Sequence, residues 1–237
     1  MKPMRVLVTR PQPDASRTAA YLEGLGHQVV VEPLLFVEPL PARDMPPGPF
    51  SALAVTSANA ARIAGATVEL DELRSLPLYT VGARTADAAR EAGFENVEDA
   101  DGDAAALARL IARELPVGSR VLHLAGEERA QDLGVLLAPA KIAVEVLALY
   151  RMRAAESFGA AAAAISSGEL DAVMHFSPRS AATFVAIAER QGLAESVRRL
   201  RHLCISQAAA APLIAIGAEV EVSAEPREDA MAALLDS

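Results

Sequence analysis

Tryptophan is absent from the 237 residues, and aromatic residues of any kind make up only 4%. Large rings therefore do not fill the interior. With apolar residues at 52%, the core falls to Val, Leu, Ile and Ala. Short branched side chains suit buried parallel strands, which points to α/β units. Cysteine occurs once, at Cys204, so no internal disulfide can form, and this usage fits a reducing cytoplasm. Basic residues are outnumbered, 22 Lys and Arg against 31 Asp and Glu, for a net charge of -9. A field of that sign disfavours nucleic acid and anionic membranes as partners, though a cleft can be locally basic on an acidic body. The apolar run over 208–216 is too short to span a bilayer. The opening MKPMRVLVTRP is broken at Arg10-Pro11 and is not expected to act as a secretion leader.

Several chemical motifs are missing as well. No strand-like run is followed by G-x-G-x-x-G or G-x-x-x-x-G-K-[ST], so dinucleotide and P-loop sites are not expected. There is no G-x-S-x-G for acyl transfer, and Cys204 within RHLCIS reads as a core residue. His27, His123, His175 and His202 are scattered without a metal-ligand spacing, and His123 and His175 fall inside strand-like runs where they read as structural.

What is present is an alternation of short branched runs and Ala-rich helical stretches. Strands are expected at Arg5–Thr9, Gln28–Glu32, Ala52–Thr56, Leu78–Val81, Arg120–Leu124, Ala143–Leu149, Ala172–Phe176, His202–Ile205 and Glu219–Ser223. The first helix has Asp14 as its expected cap, a stripe of Ala15, Ala19, Leu22 and Leu25, and Gly26 as its stop. A second begins after Asp103 with Leu107, Leu110 and Ile111 on its buried face.

The chain also repeats itself. RVLVTRPQPDASRTAAYLEGLGHQVVVEPLL, from Arg5, parallels RVLHLAGEERAQDLGVLLAPAKIAVEVLALY, from Arg120; Arg5 to Val29 and Arg120 to Val144 both span 24 residues. AVTSANAARI parallels HFSPRSAATF, VGARTADAAREAGFENVEDA parallels ISQAAAAPLIAIGAEVEVSA, and DAAALARLI parallels DAMAALL. Their order implies one α/β domain of five strands inserted in another. Domain one is expected over 1–37 plus 152–237, and domain two over 39–150. The chain would cross twice between flavodoxin- or Rossmann-like parallel-sheet domains, first through the Pro-rich FVEPLPARDMPPG, with a cleft between the lobes.

In such sheets ligands gather beyond the carboxyl ends of the strands. Thr9-Arg10-Pro11, Thr56-Ser57-Ala58-Asn59, Val81 to Thr85 and Phe176 to Ser180 each put a hydroxyl or an Arg at an expected helix start. Free N–H groups there favour anions. The same residues also serve as ordinary caps, so any one of them alone carries little.

Taken together, LVTRP, VTSANA, TVGARTADAAREAGF, VLHLAGEERAQDLGVLL, VEVLALYRM and HFSPRSAATF resemble the uroporphyrinogen-III synthase family over essentially the whole chain. The resemblance implies two α/β domains joined by a two-stranded ladder. It also implies a cofactor-free lyase that closes hydroxymethylbilane to uroporphyrinogen III with loss of water and inversion of ring D. The substrate and product would be the partners, in a cytoplasmic monomer, with hand-over to neighbouring enzymes of the tetrapyrrole pathway compatible with the reading. Tyr150, at the end of VLALY, matches the tyrosine proposed to assist loss of the hydroxyl; the other reading is a packing residue at the crossing. Ser57, Thr85, Ser177, Ser180 and Ser206 match binding turns. Arg10, Arg84, Arg129 and Arg179 are candidates for carboxylate pairing, and Gly126 for close approach or a turn. The turn Ile205-Ser206-Gln207-Ala208-Ala209 departs from the family's Ile-Gly-x-x-Thr. The alternative is a bilobed protein that binds or senses a small anion without catalysis.

Overall fold

The computed structural model describes residues 3–42, 45–129 and 131–236. The chain forms two compact units, 1–36 with 153–237 and 37–152. Unit 1 opens with β1 (Arg5–Val8), α1 (Asp14–Gly24) and β2 (Gln28–Val31). Then follow β3 (Leu35–Pro39), β4 (Ala52–Val55), α2 (Ala58–Gly65), β5 (Pro77–Thr80), α3 (Ala83–Glu91), β6 (Asn96–Asp99), α4 (Ala104–Glu114), β7 (Arg120–Gly126), α5 (Leu133–Leu137) and β8 (Ala143–Ala154). Unit 1 resumes with α6 (Ala161–Ser167), β9 (Ala172–His175), α7 (Pro178–Arg190), α8 (Ala194–Arg198), β10 (Arg201–Cys204), α9 (Gln207–Ala215), β11 (Val220–Val222) and α10 (Glu228–Ala232).

Unit 1 holds a five-stranded sheet in the order β11-β10-β9-β1-β2, parallel throughout. The second sheet has six strands, β3-β8-β7-β4-β5-β6, and its five from β8 to β6 are parallel. The repeat survives as identical register. Val6 pairs with Val29 as Val121 pairs with Val144, and Val8 pairs with Met174 as His123 pairs with Ala54. In each copy the strand order is second, first, third, fourth, fifth. The switch in direction falls between β1 and β9 in one unit and between β7 and β4 in the other.

Alternation along the strands explains two-sided burial. In unit 1, Leu7 and Val173 face a core with Phe184 and Leu213, while Val6, Val8 and Met174 face another with Leu22 and Met231. In unit 2, Leu53, Val55, Leu122 and Leu124 face one side; Ala52, Ala54 and Val121 face the other, with Leu107 and Ile111 of α4. The stripe and cap expected for α4 are present: Asp103 accepts from the Ala106 N–H at 2.8 Å.

The structure corrects four details. The second sheet gains a sixth strand, because the Pro-rich crossing forms β3. It runs antiparallel to β8: Leu40 N donates to Leu149 O, and Ala155 N to Leu34 O. β6 escapes the hydropathy reading because NVED has one apolar residue, Val97, and partial burial at Val97 and Asp99 alternates with exposed Asn96 and Glu98. Its place opposite β11 in the repeat is the signal that finds it. Asp14 does not cap α1; Pro13 holds the cap position with no side-chain bond, and Asp14 lies in the first turn. Leu25 is 40% exposed, and Thr18 is buried with Ala15, Ala19 and Leu22 instead. Gly26 does end α1, at φ +93°, a left-handed conformation other residues resist.

α2 and α3 end against one another. Arg74 donates to the carbonyls of Gly65 at 2.6 Å and Ala92 at 2.9 Å, a cation against two negative helix ends. A Cβ on Gly65 would stand 2.5 Å from the Ala92 Cβ and 2.7 Å from its carbonyl oxygen. Because backbone cannot swing aside, Gly65→Ala is expected to destabilise unit 2 by roughly 1–3 kcal/mol. Urea unfolding checks this; an unchanged midpoint would mean the two helix ends separate at no cost.

Candidate functional site

Unit 2 has a cavity of about 380 Å³ lined by Thr56, Ser57, Gly126, Arg129 and Tyr150 among others. It lies at the carboxyl ends of β4 and β7, at the switch point where a parallel sheet opens a crevice. β4 ends in Thr56-Ser57, and Ser57 becomes the cap of α2, accepting from the Asn59 N–H at 3.2 Å. β8 delivers Tyr150, only 9% exposed, whose O–H donates to Ser57 Oγ at 3.0 Å. Ser57 Oγ thus accepts twice, which leaves its own O–H to donate.

Gly126 lets the tyrosine in. A Cβ there would sit 2.8 Å from Tyr150 Cζ and 3.1 Å from its hydroxyl. Gly126 is therefore needed because the ring approaches its backbone closely. Arg129 closes the loop after β7. Its Nη1 donates to the carbonyls of Gly126 at 3.2 Å and Glu127 at 3.1 Å. Among the described residues Nε and Nη2 make no hydrogen bond. Beneath the cavity, His123 Nε2 meets Thr56 Oγ1 at 3.2 Å. Burial first, and the Arg129 charge second, lower His123 to about 4 against the opposing pull of Asp132, so the ring is neutral at pH 7. Asp103 and Glu128 add acidic groups to the lining; the Ala106 N–H that Asp103 caps holds its carboxyl below the usual range.

The remaining sequence candidates lie elsewhere. Thr85 is buried in the first turn of α3, outside the cavity lining, and Arg84 is exposed beside it. In unit 1, Ser177 caps α7 by accepting from the Ser180 N–H at 3.1 Å, and Ser206 caps α9 by accepting from the Ala209 N–H at 3.3 Å. Ser180 is 1% exposed and its hydroxyl meets Thr9 Oγ1 at 3.2 Å. Arg179 is half-buried in the first turn of α7. Arg10 lies over the Phe176 ring at 4.1 Å and pairs with Asp14 at 3.6 Å and Glu228 at 3.4 Å, so its charge is already matched within unit 1.

Thr56, Asp103, Glu128 and Gln131 join the lining without having been singled out for it. The loop residues carry no motif. Thr56 stood next to Ser57 in a segment already marked as a strand end. His175 and His202 are structural. The Val197 carbonyl can only accept, so His202 donates from Nε2 at 2.9 Å and its Nδ1 accepts from His175 Nε2 at 3.0 Å. His175 Nδ1 is left without a partner among the described residues. Burial raises Cys204 to about 12, which makes it inert at neutral pH. No described helix is long and apolar enough to cross a membrane.

Comparison with known proteins agrees on one family. The profile described as "Uroporphyrinogen-III synthase HemD" matches residues 16–233. No curated protein matches the chain in sequence. The crystal structure of uroporphyrinogen-III synthetase from Helicobacter pylori is similar in fold, at 17% identity and a TM-score of 0.67, over 99% of this chain and 98% of that one. A mutant uroporphyrinogen III synthase from the extremely thermophilic bacterium Thermus thermophilus is similar at 20% identity and a TM-score of 0.56, over 98% and 97%. The two solved structures speak for the two-sheet α/β fold, and the profile, spanning nearly every element of both units, speaks for more than fold: the chain belongs to the uroporphyrinogen-III synthase family.

Proposed function

We propose that the cavity at the switch point of unit 2 is where this cyclising lyase helps hydroxymethylbilane lose its hydroxyl. The observation that carries the reading is the Tyr150 hydroxyl donating to Ser57 Oγ at 3.0 Å at the wall of that cavity. The two hydroxyls form a donor pair. Ser57 can pass a proton to the departing oxygen while Tyr150 replaces it, so that water leaves and ring A becomes an electrophilic azafulvenium; its pyrrole N–H proton then returns to the Tyr150 phenolate and leaves the azafulvene. Rotation of the phenol towards the substrate would serve the same end at the cost of one neutral hydrogen bond, about 1 kcal/mol.

Arg129 suits one carboxylate arm. Its Nη1 is occupied by two carbonyls, and Nε with Nη2 presents the side of the guanidinium as a fork. Ser177, Arg179 and Ser206 in unit 1, and Thr85 and Arg84 in unit 2, are proposed as further groups for substrate carboxylates. Arg10 and Ser180 are engaged in internal bonds, and their part is to hold the β1 and α7 ends in place. Inversion of ring D is then a matter of pose: the substituted carbon of ring D is held closer to the azafulvene than the free one. The reading needs no cofactor, and it is that of a cytoplasmic monomer.

The test supplies freshly made hydroxymethylbilane and resolves the type I and type III products. Type III product in excess of the unassisted reaction is expected. Type I alone, at the uncatalysed rate, would overturn the assignment of activity.

A further inference from the structure

The two copies of the repeat differ chemically at the carboxyl ends of their central strands. With the strands in their shared register, His123 corresponds to Val8, and Thr56, before the cap Ser57, corresponds to Phe176, before the cap Ser177. Tyr150 corresponds to Leu35. Unit 1 builds the same strand pair with apolar Val8 and Phe176 where unit 2 has His123 and Thr56, so the fold does not require the polar pair. Unit 1 has polar groups of its own near this place, but they close on each other: Thr9 Oγ1 bonds the Met174 carbonyl at 3.2 Å and Ser180, and His175 bonds His202. In unit 2, Thr56 and Tyr150 open instead into the cavity.

We propose that His123 is a positioning residue: through its 3.2 Å contact with Thr56 it orients a hydroxyl towards the substrate. The inference rests on the reading of the unit 2 cavity as the substrate site. His123 is 2% exposed and does not itself line the cavity. Among the described residues its ring is the hydrogen-bond partner of the Thr56 side chain. An imidazole carrying its proton on Nε2 donates to Thr56 Oγ1 and leaves the threonine O–H to point away from the ring. The opposite tautomer would draw that O–H back and present only lone pairs. A substrate rich in carboxylates is met by the first arrangement. Desolvation keeps the ring uncharged, so it sets direction without adding a charge to the cavity.

The test is a double-mutant cycle with His123→Val, the residue unit 1 carries at this position, and Thr56→Val. The readouts are kcat, KM for hydroxymethylbilane and the urea midpoint. Thr56→Val is expected to raise KM roughly 5- to 10-fold, the worth of one hydrogen bond. His123→Val should raise KM by a similar factor and the double variant no further, because both remove one oriented hydroxyl. His123→Gln, which retains an N–H donor, should recover part of the loss. A His123→Val enzyme with lower stability but unchanged KM, or a fully additive cycle, would overturn the proposal. Should His123→Val not fold, Thr56→Ser decides. With the histidine still directing the hydroxyl, KM stays within twofold, whereas a rise equal to that of Thr56→Val overturns the proposal. Ser57→Ala and Tyr150→Phe run in parallel. If they too leave kcat and KM untouched, the cavity is not the site and both readings fall; if they alone matter, only the role of His123 falls.

Discussion

Tyr150→Phe is expected to lower kcat for the type III product by about 10²-fold, the low end for a positioned proton donor, while KM changes little. The ring packs in the core that includes Leu147 and Leu149, and Phe fills the same space. Only the hydroxyl is lost, and with it the bond to Ser57. Ser57 keeps its cap bond from Asn59, so α2 should start as before and the stability cost should stay near 1 kcal/mol. Residual activity is expected, because the leaving group can depart unaided and the pose survives. The isomer ratio should for the same reason stay with type III. Initial rates and product isomers, with the uncatalysed background subtracted, give the answer. A rate within twofold of the unmutated enzyme would return Tyr150 to packing. A normal rate with mostly type I product would assign it to the pose instead of the proton.

The second large effect is on stability. His123, His175 and His202 are all lowered from the ordinary value of 6.5, chiefly by burial. The unfolded chain therefore binds protons that the folded chain refuses, and stability falls as pH drops below about 6.5. His123 contributes a slope of about 1.4 kcal/mol per pH unit in that window, and His175 and His202 add to it in the same direction. For His123 the window closes at about 4, and its total is about 3 kcal/mol. Unit 1 carries two such groups and unit 2 one, so both units should lose stability with acid. Unfolding in urea at pH 5.5 should take up about one proton at His123 and further protons at His175 and His202. Uptake near zero would mean that water reaches the rings in the folded state.

Fold class and the order of elements were largely readable from the residues, because they depend on short-range regularities. Branched runs of four or five residues, Ala-rich stripes, Gly26 beyond α1 and Asp103 before α4 each act over one or two turns of chain. The inserted arrangement was readable from the 24-residue spacing from Arg5 to Val29 and from Arg120 to Val144, which became the paired register of β1 with β2 and β7 with β8. Patterns failed where an element owes its existence to a neighbour. β3 is a strand because β8 offers it hydrogen bonds, despite its closing Pro39, and β6 is one because β5 does, despite its acids.

The site divides in the same way. Ser57, Gly126, Arg129 and Tyr150 could be singled out through the family resemblance of the segments that hold them, yet nothing local joins them. Tyr150 and Ser57 are 93 residues apart, and His123 and Thr56 are 67 apart. Arg10 carries the same charge as Arg129, but β1 and α1 bring Asp14, Glu228 and Phe176 around it. Sequence by itself determined which residues can donate, cap and pair, since that chemistry belongs to each side chain. Which of them face a cavity and which are matched within the fold was decided by sheet register and strand order, because a hydrogen bond acts only over about 3 Å and packing alone brings distant segments that close.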